Sequence, residues 1–256
     1  MEDKAFGDSG NEVVIEEFLT GPEVSVLAFT DGTAIAPMIS SMDHKRAGDG
    51  DTGLNTGGMG TIAPNPYYTA DVAKRCMDEI FLPTLAAMRA EGCPFKGCLY
   101  FGLMITPNGP KVIEYNCRFG DPETQVVLPL LETDLLEIMQ AVENETLSDV
   151  EVKWSQNSAA CVILASGGYP GSYAKGKTMS FPSAYPENVT CYHAGDKLEG
   201  GKLVTSGGRV LGVTATAPTL KQALADAYAA ADTIGFDGEY MRHDIGRRAL
   251  TVMEDK

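Results

Sequence analysis

The stretch GCLYFGLMITPNGPKVIEYNCRFGDPETQ, residues 97 to 125, constrains the fold more than any other part of the chain. Two apolar runs rich in aromatic and branched residues flank Pro-Asn-Gly-Pro, a turn signal, and this predicts an antiparallel hairpin. The second run ends by placing Glu114, Asn116, Arg118, Asp121 and Glu123 within ten residues. Side chains two apart in a strand leave the same face, so Glu114 and Asn116 point together, while Ile113 and Tyr115 point the other way. A carboxylate oxygen beside an amide oxygen is a partial shell for a hard divalent cation. Magnesium takes few protein oxygens and leaves its other positions to water and phosphate. Arg118 continues the alternation with a fork of donors suited to a phosphate oxygen. Taken alone, such a pair is more often a strand end facing water.

Around this hairpin the periodicities alternate. Residues 13 to 19, VVIEEFL, read as a strand, and residues 23 to 40 as two strands around Asp31-Gly32. Residues 41 to 66 are too rich in Gly, Asp, Asn and Thr for a regular element and read as one long loop. Val72, Cys76, Ile80, Leu85 and Met88 recur at helical spacing between Thr69 and Glu91, with a kink expected at Pro83 and a stop at Gly92. A leucine-rich helix is expected over 124 to 142. The acidic, weakly periodic residues 143 to 154 read as a domain boundary. Strands follow at 159–166, 178–181, 189–193 and 209–216, with an alanine-rich helix from Thr219 to Ile234.

The 256 residues suffice for one large domain or two ordinary ones. A net charge of −15 argues against a nucleic-acid partner, but not against phosphorylated small molecules, which need only a few placed cations or a metal. No apolar run is long enough to span a bilayer, the polar start is not a secretory signal, and no membrane partner is expected. The six cysteines form no C-x-x-C pair and lie mostly in apolar runs, so they read as buried, reduced thiols of a cytoplasmic protein.

Two further stretches carry candidate chemistry. Asn55, Thr56, Gly57, Gly58 and Met59, in NTGGMG, offer backbone N–H groups for an anion, with Lys45 and Arg46 as a cationic pair just ahead. The same composition equally describes a flexible surface loop. A strand ending in Glu16, Glu17, Phe18 and Leu19 offers main-chain hydrogen bonds and packing to a flat heterocycle, and Glu23 offers a carboxylate to a ribose diol; alone, it is a strand with acids on one side. Gly207 and Gly208 read as turn residues, with Arg209 a weaker phosphate contact. The three histidines have no metal-ligand spacing, and neither a Walker A loop nor a G-x-S-x-G elbow occurs.

In order, VVIEEFLTGPEVSVLAF, DHKRAGDGDTGLNTGGMG, YFGLMITPNGPKVIEYNCRFGDPETQ, GGYPGSYAKG, TSGGRVLGVTA and YMRHDIGRRAL closely resemble the glycinamide ribonucleotide synthetase (phosphoribosylamine–glycine ligase) family of ATP-grasp ligases. The resemblance runs from about residue 12 to the C-terminus. It implies an α+β fold: the second half of an ATP-grasp, an antiparallel sheet with helices, over 1–145, then a small C-terminal α/β domain over 155–256. Family members also carry an N-terminal α/β domain and the first half of the grasp, so the chain is expected to start inside the ATP-grasp. It would then need the missing part, which a separate chain could carry.

The activity implied is phosphorylation of glycine by ATP, then attack of 5-phosphoribosylamine on the glycyl phosphate, in purine biosynthesis. Glu114 and Asn116 would hold Mg²⁺ or Mn²⁺, and Arg118, Lys45 and Asp121 would serve catalysis. Residues 16 to 19 and Glu23 would bind ATP. Arg46, residues 55 to 59 and Glu123 would contact the other substrates. Two rivals stay open: a non-catalytic nucleotide- or metal-binding module with a partner chain, and an ATP-grasp ligase for another carboxylate and amine.

Overall fold

The computed structural model describes residues 7–254; the outer ends of the two expected domains, 1–6 and 255–256, lie outside the described residues. The expected strand at 13–19 does not form: these residues are irregular, with Val14, Ile15 and Phe18 between 85% and 92% exposed. Apolar composition makes a strand only where a neighbouring edge supplies hydrogen bonds, and no described strand pairs with this segment. β1 (Glu23–Thr30) and β2 (Ile35–Pro37) then form the hairpin expected around Asp31-Gly32. Asp31 shapes its turn by accepting the amides of Thr33, Ala34 and, from far along the chain, Leu147. Burial would raise this carboxyl, but the three amides hold it below its ordinary value.

The long loop expected at 41–66 is instead four short strands: β3 (Met42–Asp43), β4 (Arg46–Gly48), β5 (Thr52–Asn55) and β6 (Gly60–Ala63). β4 and β5 are a hairpin whose tip uses the positive φ of Gly50 and Asp51, while β3 and β6 pair with each other. Composition hid them because their strand character comes from long-range pairing rather than propensity.

The helix expected from Thr69 divides into α1 (Ala70–Cys76), a π-helical turn Met77–Phe81, and α2 (Leu82–Ala90). Pro83 has no N–H to donate, and the ladder widens in the turn before it: the Leu82 amide reaches the Met77 carbonyl. The central hairpin follows as expected, β7 (Gly97–Thr106) and β8 (Gly109–Asn116), in a four-stranded sheet ordered β2-β1-β7-β8. One sheet face packs on the helices, with Phe101 between Phe81 (4.2 Å between ring centroids) and Tyr115 (5.5 Å). The leucine-rich helix also divides, into α3 (Thr124–Val127), a 3₁₀ turn containing Pro129, and α4 (Leu135–Glu143), which Asp134 caps afresh.

After the acidic stretch come β9 (Ser158–Ser166), β10 (Val189–His193), β11 (Asp196–Glu199), β12 (Lys202–Thr205), β13 (Arg209–Ala217), α5 (Leu220–Ala231), β14 (Glu239–Tyr240) and α6 (Arg247–Glu254). The strand expected at 178–181 is reduced to isolated bridges at Thr178 and Ser180. The β11–β12 hairpin, turned at Gly200-Gly201, was not foreseen. The second sheet runs β10-β13-β9-β6-β3, with β14 also on β9, and every described strand pair in both sheets is antiparallel. It therefore draws β3 and β6 from before the acidic stretch and the rest from after it. Ala223, Ala227 and Ala230 of α5 let that helix lie close on β9 and β13. A second core joins Leu27, Phe29 and Tyr100 of the first sheet to Ala159, Cys161 and Ile163 of the second. Cys76, Cys98 and Cys161 are buried as expected, whereas Cys93 and Cys117 are exposed.

Candidate active site

β8 carries the polar run to the open face of the first sheet. Glu114 and Asn116 lie side by side, the Asn116 amide 3.4 Å from the Glu114 carboxylate. Gly102 on the neighbouring strand makes this possible, since a Cβ there would sit 2.9 Å from Glu114 Cγ. The simple alternation fails at one residue. The β7–β8 register shifts between Gly102 and Leu103, leaving Ile113 as the extra residue of a bulge. Ile113 therefore lines the same cavity as Glu114, whereas Tyr115 packs on Phe101 towards the helices. The expectation that Ile113 points away from Glu114 is corrected by that bulge.

Three depressions run along this face. One of about 280 Å³ is bounded by Glu23, Ser25, Lys45, Asn55, Tyr100, Ile113 and Glu114. A second, of about 290 Å³, shares Glu23, Lys45 and Asn55 with it and adds Asp43, Arg46 and Arg248. The third, of about 450 Å³, lies between residues 16–19 and Met104, Lys111 and Ile113. Glu23, Lys45, Asn55 and Glu114 thus meet as expected, and residues 16–19 reach them only through Ile113. Met104, Lys111 and Ile113 were missed because a bulge leaves no mark in the pattern.

On the floor, Lys45 Nζ meets Asp43 Oδ2 at 3.3 Å. Glu123 is 4% exposed and accepts the hydroxyls of Tyr100 (3.1 Å) and Ser25 (3.3 Å). Burial and the charge of Glu123 push Asp43 up to about 7, against the pull of Lys45. Burial depresses Lys45, but Asp43, Glu123 and Glu23 outweigh it and hold the ammonium above its ordinary value. The site thus keeps a fixed cation beside a carboxyl poised to exchange a proton near neutrality. Asp43 and Tyr100 were not singled out from sequence; the signal was the Asp that opens DHKR.

The glycine loop behaves differently from expectation. Its amides are engaged within the protein: Thr56 N to Lys45 O, Gly57 N to Tyr169 Oη, Gly58 N to Thr56 Oγ1 and Met59 N to His44 O. It offers no open N–H cradle, because these four amides already have partners within the protein. Met59 is fully buried, and the Tyr240 hydroxyl reaches its sulfur. Arg209 is likewise taken, by Gly57 O, Asp121 O and Asp121 Oδ2, so its expected phosphate contact is corrected. The other oxygen of Asp121 accepts Gln125 Nε2 at 2.8 Å. Arg118 is exposed and gives one bond, to Phe119 O, among the described residues. Arg46 bonds Gly53 O within its hairpin.

That hairpin is held from the C-terminal segment. Arg242 is 1% exposed and bonds Asp244, Asp51 and the Arg46 carbonyl. His44 is fixed as a neutral tautomer, Nδ1–H towards Gly60 O and Nε2 accepting the Gly246 amide. Burial and the nearby Arg242 charge lower it to about 4.

No group of three His, Cys, Asp or Glu residues is disposed to hold a metal among the described residues. Glu114 and Asn116 fit the other kind of site: two adjacent oxygen-bearing side chains on the edge strand β8, Glu114 opening on the cavity that Lys45 also lines, with remaining positions left to water and phosphate.

The fold places the protein in the ATP-grasp class. The biotin carboxylase structure from Campylobacter jejuni, at 15% identity, superposes with a TM-score of 0.63 over 88% of this chain and 48% of that one, a likeness of fold alone. The profile described as phosphoribosylglycinamide synthetase, ATP-grasp (A) domain, matches residues 1–124, and that of the same synthetase's C domain matches residues 159–248. The chain belongs to the phosphoribosylglycinamide synthetase family. It is 50% identical to the phosphoribosylamine–glycine ligase of Chlorobaculum tepidum over 98% of its own length and 59% of the relative's. The crystal structure of that ligase from Thermotoga maritima, at 35% identity, superposes with a TM-score of 0.82 over 90% of this chain and 56% of that one. The chain thus spans well under two thirds of these relatives. No described helix is long and apolar enough to cross a membrane.

Proposed function

We propose that the protein serves the ATP-dependent ligation of glycine to 5-phosphoribosylamine, giving glycinamide ribonucleotide, ADP and phosphate in cytoplasmic purine biosynthesis. The observation that carries this reading is Glu114, with Asn116 beside it on β8, opening on a cavity shared with Lys45 and Glu23. Residues 1–145 would form part of the ATP-grasp and residues 155–256 the C-terminal domain.

In this reading ATP lies along the open face of the first sheet. Residues 16–19 with Met104 and Ile113 border an apolar place for the base, and Glu23 stands where a ribose diol would meet it. Glu114 and Asn116 would hold Mg²⁺ or Mn²⁺, which would supply positive charge to neutralise the phosphates. Lys45 adds fixed positive charge beside the reacting phosphoryl group, and Arg118 has free donors for the acyl phosphate. Arg46, Asn55 and Thr56 border the amine and carboxylate substrates. Glu123, with Asp121, Gly57, Gly58 and Met59, acts by shaping and charging the floor and rim beneath them. The glycyl phosphate is shielded from water by the rim.

Calorimetric titration of Mg·ATP into the chain, beside Glu114→Ala and Asn116→Ala, tests this. Binding by the parent that each variant weakens by about tenfold or more is expected, one lost metal ligand costing at least that much. Equal binding by parent and variants, or none by the parent, counts against the reading. A second reading, a nucleotide-binding module acting with a partner chain, draws on the exposed Val14, Ile15 and Phe18, the last of which lines the third depression. Turnover that appears only on mixing with a polypeptide carrying the rest of the family's length would favour it.

A further inference from the structure

We propose that Arg209 is a positioning residue that ties the 56–59 loop and Asp121 into one rim over the cleft, so that the two segments move as a unit. Its Nη1 donates to Gly57 O and to Asp121 O, each at 2.8 Å, and its Nη2 to Asp121 Oδ2 at 3.0 Å. A single planar fork thus spans two segments that are distant in sequence: 56–59 follows Asn55 of the cleft lining, and Asp121 stands two residues before Glu123, which bonds Tyr100 and Ser25 of that lining. A lysine, a point charge on a flexible stem, cannot hold three acceptors in that geometry.

The surroundings are built to the guanidinium. A Cβ at Gly57 would stand 2.9 Å from Arg209 Cζ, so the loop lies close against the guanidinium, which a side chain there would push aside. A register shift between Arg209 and Leu211, where β13 leaves β9, re-aims the side chain out of the sheet. The preceding peptide is gripped as well, the Gly57 N–H donating to Tyr169 Oη at 3.0 Å. Tyr169 is itself set by the Tyr240 hydroxyl on its carbonyl, and its ring covers Gly208 closely enough to exclude any side chain there. The N–H and the C=O of Gly57 are therefore both held from the C-terminal part of the chain, and through Arg209 that hold extends to Asp121. The positive charge also bears on buried Asp43 and lowers it against the push of burial and Glu123.

The clamp rests on the ligase reading only for what the rim covers, and its test needs no turnover. Amide hydrogen exchange of the full chain is followed in the parent, Arg209→Lys, Arg209→Ala and Tyr169→Phe, with melting temperature measured on each. In Arg209→Lys, exchange at 56–59 and at 119–124 should rise together by about tenfold or more while α5 and β10 stay as in the parent. Millimolar guanidinium added to Arg209→Ala should return both segments towards the parent, a rescue that lost packing alone would not show. Tyr169→Phe should loosen 56–59 only. Exchange that rises in one segment alone in Arg209→Lys, or everywhere in step with a lower melting temperature, or with no guanidinium rescue, overturns the clamp. Failure of the parent to bind Mg·ATP would touch the ligase reading and leave this result standing.

Discussion

The β8 shelf and the 43–60 segment are both dense in polar residues, and the fold treats them in opposite ways. On β8 the backbone is paired in a sheet while Glu114, Asn116 and Arg118 touch little beyond one another and a neighbouring carbonyl. In 43–60 the polar groups are consumed by the protein: loop amides by carbonyls and hydroxyls, His44 by two peptides, Asp51 by Arg242. A rigid backbone with unclaimed side chains is a place for a ligand, whereas a fully bonded network is scaffold. Lys45 belongs to both, held by Asp43 yet lining the cleft.

The largest effect that would break this comparison is in the scaffold. Arg242→Met leaves Asp51 and Asp244 without their buried partner and should cost about 3–5 kcal/mol in chemical denaturation. A loss under about 1 kcal/mol would mean the network is not what holds the hairpin. Gly58→Ala comes next: φ is +115° there, and a Cβ would stand 2.5 Å from both Asp43 Oδ1 and Pro122 Cδ. The same measurement should show about 1–3 kcal/mol lost.

Adjacent Asp43 and His44 sharpen the contrast through pH. His44 falls from 6.5 unfolded to about 4 folded, so the unfolded chain binds the extra proton and stability declines as pH falls through that window. Asp43 rises from 3.8 to about 7, so the folded chain keeps the proton and this residue's contribution declines as pH rises through that window. His44→Gln should remove up to about one proton from the slope of stability against pH between 6.5 and 4, and Asp43→Asn should change that slope by up to about one proton in the opposite sense between 3.8 and 7, so that stability rises more steeply with pH there. A His44→Gln slope equal to the parent's would show that the imidazole is not locked. The smallest effect belongs to the shelf: Glu114→Ala should change stability by less than about 0.5 kcal/mol. A large loss would make Glu114 part of the scaffold.

Both hairpins that frame the cleft were legible, because a turn signal between two apolar runs is a local property of about twenty residues. So was the pairing of Glu114 with Asn116, which follows from a period of two. The side of the sheet that Ile113 faces was not, since one bulge shifts every side chain beyond it. Residues 13–19 had strand composition and no edge to join, while β4 and β5 had loop composition and each other. Arg242 passed unnoticed within YMRHDIGRRAL because nothing local tells a buried arginine from a solvated one.

The sequence by itself determined the strands and helices whose signals are local, the family, and the polar run that ends β8. Tertiary structure alone decided which polar groups are free, because satisfaction depends on partners from distant segments: Tyr169 and Arg209 for Gly57, Asp51 for Arg242, Gly246 for His44. Residue type announces that a group can bond; only the fold says whether it already has.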